Sequence, residues 1–291
     1  MHLRTFAKGT FSTLLTLAVL VPSSITNAPA FTIEKTASVL HQFESAPVSE
    51  SATTLKKRPR ESARVRTTPP LLSVVDQKDI QRPHRIIADQ VLRALQSPCT
   101  SNLEHFYVRY DKPEHRGLAS AHTIILDGSV PDSEFRALLV HEFAHTMDLG
   151  CMTGTPGSGL SGFRDGDEVI YKDDPSVLFY GISWKDEQTK LPKTRGADFA
   201  SGYAASDPFE DLAEAVTYFV FQNDAFRSRA ESNPALAAKL AWIKKYLFPH
   251  GMRIASGNHQ WNGLVPWDTT KLPYAWHPWG VLTVSNTPER T

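Results

Sequence analysis

Two histidines and a glutamate stand close together in His141-Glu142-Phe143-Ala144-His145. On an α-helix, residues i and i+4 differ by about 40° around the axis and lie about 6 Å apart along it, so both imidazoles would face one side. Two imidazoles on one face can bind one metal ion. The Glu142 carboxylate, next to the first histidine, can accept a proton from a water at the open side of that ion. The segment therefore predicts a catalytic zinc site, with His141 and His145 as ligands and Glu142 as general base.

The residues before this motif predict a buried helix. Asp132 or Ser133 can cap its first turn, with Pro131 just outside, and Gly150 can end it. Apolar side chains recur at three- and four-residue steps, as on a helix that faces a core. These are Phe135, Leu138, Leu139, Phe143 and Met147. We expect a helix over residues 133–148, which would hold the histidines rigidly.

Two residues after the motif bear on the rest of the metal shell. Asp148 lies three residues after His145, where it can either accept a hydrogen bond from a ligand histidine or sit on the surface at the helix end. Cys151 occupies the place of the third histidine of the longer H-E-x-x-H-x-x-G-x-x-H pattern. A thiolate ligand would weaken the Lewis acidity that hydrolysis requires. Cys151 is therefore a poor candidate for the third ligand.

A second carboxylate pair follows downstream, in residues 203–215. Asp207 is typical of a helix N-cap and Pro208 of a first helical residue. Glu210 and Glu214 share one face of this helix, whose apolar stripe is formed by Leu212, Ala215, Val216, Phe219 and Val220. Either carboxylate would complete a His-His-Glu site with an open fourth position if the two helices face each other. Taken alone, both are also ordinary acidic residues near a helix N-terminus.

Together, H-E-F-A-H and Y-A-A-S-D-P-F-E-D-L-A-E-A resemble the catalytic domain of anthrax lethal factor and the related Pro-Pro endopeptidases, which are zinc peptidases of the gluzincin type. In that family a tyrosine precedes the glutamate ligand by seven residues, a spacing that Tyr203 and Glu210 share. The resemblance implies a zincin-like fold and Glu210 as the third ligand of one Zn²⁺. It also implies Glu142 as general base and Tyr203 as a hydroxyl donor to the oxyanion. It covers the two helical segments and little between them.

The first thirty residues predict a signal peptide. Arg4 and Lys8 form a basic start, residues 11–21 a short apolar run, and Ala28-Pro29-Ala30 a small-residue cleavage site. The run is shorter than the roughly 20 residues of a membrane span. An uncleaved anchor is the alternative. We expect an exported protein, secreted or periplasmic, with no membrane span after signal removal.

Residues 31–70 predict a disordered linker or a propeptide, because they are rich in Ser, Thr, Ala and Pro and lack periodicity. Residues 71–291 are long enough for one catalytic domain, for which we expect an α+β, zincin-like fold with a Trp- and Pro-rich C-terminal strap over residues 261–279. The chain has 31 basic and 31 acidic residues, which does not suggest nucleic-acid binding. Cys99 and Cys151 can form one disulfide in an exported protein, tying the end of a first helix to the end of the metal helix.

The pattern predicts further elements in this domain. We expect helices over residues 79–95 and 233–247, and strands over 106–110, 122–126 and 176–184. The strand 122–126 just precedes the metal helix and is expected at the sheet edge beside the site, where an extended substrate could pair.

The sequence as a whole predicts an exported zinc metalloendopeptidase that acts on a protein or peptide substrate. Two alternatives stay open. One is a degenerate zincin that binds a partner and keeps only a structural zinc; the other is a zinc amidase acting on cell-wall peptides. The intact Glu142 disfavours the first, because a structural zinc needs no base and prefers four protein ligands. The sequence leaves the cleavage preference and the oligomeric state open.

Overall fold

The computed structural model describes residues 4–5, 70–252 and 254–277, which all belong to one of two compact units, residues 1–9 with 70–291. They form helices and small sheets, which confirms the predicted α+β class. Apart from Arg4–Thr5, the predicted signal peptide lies outside the described residues. So do the predicted linker, except for Pro70, and the last residues of the predicted strap. Within the described segments, no helix has the length and apolar character of a membrane span.

Six α-helices are described. They are α1 (Arg82–Leu95), α2 (Asp132–Thr146), α3 (Pro175–Tyr180), α4 (Pro208–Phe221), α5 (Asn223–Ser232) and α6 (Pro234–Tyr246). Helices α1 and α6 match the two helices predicted over 79–95 and 233–247. Pro83 lies in the first turn of α1, and prolines also open α3, α4 and α6. Proline is tolerated there because the first N–H groups of a helix have no intrahelical partner.

The described strands form one mixed sheet and two small two-stranded sheets. The sheet contains β1 (Arg4–Thr5), β2 (His105–Arg109), β3 (Gly117–Ala119) and β4 (Thr123–Asp127) in the order β1-β3-β4-β2. Strands β2 and β4 are parallel, whereas β3 is antiparallel to β4 and to β1. The two-stranded sheets are antiparallel and pair β5 (Leu160–Asp165) with β6 (Glu168–Tyr171), and β7 (Ala255–Gly257) with β8 (Tyr274–Trp276).

Two predictions about strands are wrong. Strand β4 corresponds to the strand predicted over 122–126, but it lies between β3 and β2 and not at the sheet edge. Four of its five residues are buried and Ile125 is half-buried, which is typical of an inner strand. Residues 176–184 are not a strand, because helix α3 occupies their first half. Asp174 caps that helix by accepting a hydrogen bond from the Ser176 N–H, with Pro175 as the first helical residue.

Helix α2 lies at the centre of the domain, packed against α1, α4, β3 and β4. All five side chains of its predicted apolar stripe are fully buried. The predicted N-cap is wrong: Pro131 flanks the helix, Asp132 is its first residue, and no side chain caps it. The helical conformation does not end near Asp148 either, because a π-helical turn, Met147–Cys151, continues the helix.

A disulfide joins Cys99 to Cys151, with the two Cα atoms 5.5 Å apart. Cys99 lies in the short helical turn Pro98–Asn102 that follows α1, and Cys151 ends the π-helical turn after α2. The bond therefore fixes the exit of the helix that carries the histidine motif, and it excludes Cys151 as a metal ligand.

Loss of this disulfide should lower the free energy of unfolding. Its two cysteines are 52 residues apart in sequence, and closing such a loop contributes about 4 kcal/mol on the chain-entropy model. We expect Cys99→Ser combined with Cys151→Ser to reduce the unfolding free energy by up to about that amount, measured in urea. Thiol alkylation followed by mass spectrometry gives the control: equal masses with and without prior reduction would mean that the bond is absent.

Candidate metal centre

Helices α2 and α4 face each other and bring together three side chains of types that can bind a metal. His141 and His145 lie on one side of α2, and Glu210 lies in the first turn of α4. All three are buried. One ligand atom from each lies within 4.8 Å of the other two, so the group could hold a metal ion. The structure thus joins the two sequence motifs at one point.

The start of α4 sets the position of Glu210. The Asp207 side chain accepts hydrogen bonds from the backbone N–H groups of Phe209 and Glu210, both at 2.9 Å. Pro208 occupies the first turn, so the predicted cap is confirmed. This cap begins the helix at a defined residue and directs Glu210 towards α2.

A single carboxylate oxygen of Glu210 faces both histidines. Glu210 Oε2 is 3.1 Å from His141 Nε2 and 3.6 Å from His145 Nε2. Donor atoms about 2.0–2.1 Å from a tetrahedral Zn²⁺ lie about 3.3 Å from each other. The distances and the donor set, two imidazoles and one carboxylate, therefore fit a metal of the zinc type.

The charges around the cluster favour a cation at its centre. Burial disfavours a charged imidazole at His141, but hydrogen bonds to Glu210 and Glu214 outweigh burial and raise the pKa of His141 to about 10. Burial also disfavours a charged Glu210, yet the neighbouring His145 and His141 hold the pKa of Glu210 well below its usual range. The carboxylates of Glu210 and Glu214 thus both face His141. The positive charge that stabilises them can be a proton on the imidazole or a bound metal ion.

Glu214, the rival of Glu210 for the third position, has a different place. Its Oε1 accepts a hydrogen bond from His141 Nδ1 at 3.0 Å, on the side of the ring away from Glu210. Its Oε2 accepts the backbone N–H of Thr269 at 2.9 Å. Such a bond fixes the imidazole tautomer and leaves Nε2 for a metal.

Asp148 is buried, so its interpretation as a surface residue is wrong. The Tyr180 hydroxyl donates to its carboxylate at 2.6–2.7 Å. Asp148 thereby connects the π-helical turn to α3.

The side chain of Glu142 extends from α2 towards strand β3 of the sheet. It is buried, and a Cβ atom on Gly117 of β3 would stand 2.1 Å from Glu142 Oε1. Only glycine lets the β3 backbone approach the carboxylate so closely. The negative charge of Glu142 also acts on His141 and on Tyr203, raising the pKa of each. The carboxylate is therefore part of the same electrostatic site.

Tyr203 lies in the short turn Tyr203–Ala205 that precedes α4. Its ring centroid is 6.3 Å from that of His141. Burial, followed by the charges of Glu210 and Glu142, raises the pKa of Tyr203 far above its ordinary value. The hydroxyl therefore keeps its proton and can donate a hydrogen bond.

A buried ion pair beside the site was not predicted from the sequence. Lys239 of α6 donates to Asp211 at 2.8 Å and to the Asp198 carbonyl at 2.9 Å. Trp184 Nε1 donates to the other Asp211 oxygen at 3.0 Å. Because Asp211 follows Glu210, this network anchors α4 next to the cluster. One signal was available: Lys239 shares the apolar stripe of α6, three residues after Leu236.

The predicted C-terminal strap packs on the domain through residues 268–276. Its helical turn Thr269–Lys271 contacts both α2 and α4. Arg116, just before β3, forms ion pairs with Glu134 of α2 and with Asp268 of the strap. The strap therefore closes over the side of the site where Glu214 binds the Thr269 backbone.

We compared the chain with protein-family models, with curated proteins and with solved structures, and none of the three comparisons found a match. The described fold and site define an α+β protein with a buried His-His-Glu group that could bind a metal ion. What this group can do chemically follows from its own residues: three side chains that could bind a metal, the buried carboxylate of Glu142 and the phenol of Tyr203.

The two glutamates of α4 should differ in their effect on metal binding. We expect Glu214→Gln to weaken Zn²⁺ affinity by about 10–100-fold, because it perturbs only the partner of a ligand. Glu210→Gln should weaken it by more, since a charged ligand is lost. Competition with a chromophoric chelator measures both affinities. A larger loss for Glu214→Gln than for Glu210→Gln would assign the third ligand to Glu214.

Proposed function

We propose that this protein is an exported zinc-dependent metalloendopeptidase with a zincin-type catalytic centre, similar to that of anthrax lethal factor and the Pro-Pro endopeptidases. The observation that carries the proposal is the position of Glu210 Oε2, which faces Nε2 of both His141 and His145. Glu142 and Tyr203, the two other residues that peptide hydrolysis needs, lie in the same electrostatic site.

His141, His145 and Glu210 would hold the metal. Three protein ligands leave a position open for water or substrate, whereas structural zinc sites are closed by four. A Zn²⁺ bound there would supply Lewis acidity for the water and for the substrate carbonyl. The three-ligand set thus supports a catalytic zinc over a structural one, and with it an enzyme over a degenerate zincin that only binds a partner.

Glu142 acts as the general base. Its carboxylate accepts a proton from the attacking water and then transfers it to the nitrogen of the leaving amine. The close approach of β3 at Gly117 restricts the space around this carboxylate, so its orientation is defined before substrate arrives. A base held in this way does not have to reorganise during the reaction.

Tyr203 donates a hydrogen bond to the oxyanion that forms when water attacks the carbonyl. Its hydroxyl suits that role because a tyrosine is protonated at neutral pH, and burial together with the charges of Glu210 and Glu142 raises its pKa further. An amide of a cell-wall peptide would present the same carbonyl and the same leaving amine. A substrate screen should therefore include such peptides.

The disulfide supports export. Structural disulfides persist in secreted and periplasmic proteins and are rare in reducing compartments. Cys99–Cys151 fits a protein that leaves the cytoplasm, as residues 1–30 predict.

Replacing the general base should abolish turnover without removing the metal. We expect Glu142→Gln to lower kcat by at least about 100-fold, because general-base catalysis contributes 10²–10⁴-fold. Zinc content, measured by mass spectrometry of the dialysed protein, should stay at one ion per chain. Peptide-library cleavage measures turnover, and Glu231→Gln on the exposed surface of α5 is the matched control. Undiminished cleavage by Glu142→Gln would end this mechanism.

Removing the phenolic hydroxyl should affect the chemical step alone. Tyr203→Phe is expected to keep zinc and KM near the wild-type values and to lose about 10²–10³-fold in kcat, the usual cost of one oxyanion donor. Tyr246→Phe on α6 controls for the loss of a hydroxyl elsewhere. A wild-type kcat for Tyr203→Phe would remove the tyrosine from the mechanism.

A further inference from the structure

Trp267 exposes a large aromatic side chain in the segment that bonds to the Tyr203 backbone. About 64% of its surface is accessible, whereas Trp184 and Trp242 are buried in the core. Single exposed apolar residues are common and need no explanation, so the position of Trp267 decides whether it has a role.

Backbone hydrogen bonds fix Trp267 next to the tyrosine of the site. The Tyr203 N–H donates to the Trp267 carbonyl at 2.8 Å, and the Gly202 N–H donates to the Pro266 carbonyl at 2.7 Å. Two residues further on, the Thr269 N–H donates to Glu214. The segment 266–269 thus contacts residues of the site at two points, Tyr203 and Glu214.

The indole ring is held against the backbone of Gly202. A Cβ atom on Gly202 would stand 2.7 Å from the indole Cε3, so a side chain there would displace the ring. One side of the ring therefore rests on the residue that precedes Tyr203, while much of its surface stays open. A rigid aromatic surface loses little conformational entropy when a ligand covers it.

Both ends of the loop that carries Trp267 are anchored. After Trp267, Asp268 pairs with Arg116. Before it, Trp261 stacks on the guanidinium of Arg229, 4.4 Å from the ring centroid. Arg229 also donates hydrogen bonds to carbonyls at Phe199 and Ala200, shortly before Tyr203. The loop and the tyrosine segment are therefore fixed to each other.

The chemistry around Trp267 favours an apolar ligand. Residues 264–267 are Leu-Val-Pro-Trp, and Leu264 is 71% exposed. A sugar ring would require hydrogen-bonding side chains around the indole, which this run does not provide. An apolar side chain requires only contact area.

We propose that Trp267 determines substrate specificity by binding a large apolar side chain of the peptide close to the scissile bond. The inference rests on the proposed peptidase function and adds a substrate class to it. Substrates with Phe, Leu, Ile or Trp at the subsite next to Tyr203 bind in contact with the indole. Peptides with Gly or Ala at that position lose this contact and are cleaved less efficiently.

Position-resolved cleavage of a peptide library tests the proposal. The wild type is expected to prefer a large apolar residue at one position. Trp267→Ala should lower kcat/KM for such peptides by at least about 10-fold and for their Ala counterparts by less than about twofold, the range that pocket contacts usually give. Trp267→Phe should retain most of the preference. Equal losses for both peptides, or an unchanged preference, would overturn the proposal.

Two controls separate selectivity from damage to the loop. Leu178→Ala removes a similarly exposed apolar side chain, 61% accessible, on α3 and outside residues 264–267, and it should leave the preference unchanged. Zinc content and Tm of each variant report on folding. If Trp267→Ala fails to fold, Trp267→Phe and Trp267→His carry the same comparison.

Peptide binding to Glu142→Gln, measured by calorimetry, separates this inference from the proposed function. If the wild type cleaves nothing but apolar peptides bind in a Trp267-dependent manner, the peptidase function fails and the apolar site stands. If peptides are cleaved without any effect of Trp267, only the specificity role fails. Self-association that Trp267→Ala abolishes, with selectivity intact, would assign the indole to a contact between two copies of the chain and overturn the proposal.

Discussion

A buried carboxylate is stable only where positive charge or hydrogen-bond donors replace the water it has lost. Glu210 meets this condition because His141 and His145 face one of its oxygens from the neighbouring helix. The contact constrains both helices, since a shift of α2 or α4 along its axis would leave either the carboxylate or the imidazoles without a partner. The same contact therefore fixes both the packing of α2 on α4 and the arrangement of the side chains in the site.

Helix α4 is buried along its whole length although its first seven residues include three acids. Each acid has a compensating partner. Glu210 faces the histidines, Asp211 binds Lys239 and Trp184, and Glu214 binds His141 and the Thr269 backbone. These partners come from α2, α6, the loop after α3 and the strap. The acidic residues of α4 therefore bind the four surrounding elements to this helix.

The local parts of the site could be predicted from the sequence. The spacing of His141 and His145, the apolar stripe of α2 and the Asp207-Pro208 start of α4 are properties of neighbouring residues. Contacts between distant segments could not be predicted in the same way. That Glu210 faces Nε2 of both histidines, whereas Glu214 bonds to Nδ1 of His141, depends on how α4 packs. The partner of Lys239 depends on the position of α6. The edge position expected for β4 was wrong because strand order depends on the whole sheet.

The central claim is that His141, His145 and Glu210 bind one zinc ion. A crystal structure of the zinc-loaded protein, with anomalous scattering measured at the zinc edge, tests it most directly. We predict a single strong peak about 2.0–2.2 Å from Nε2 of both histidines and from a Glu210 oxygen. A peak elsewhere, or a zinc bound by Glu214 in place of Glu210, would contradict this account.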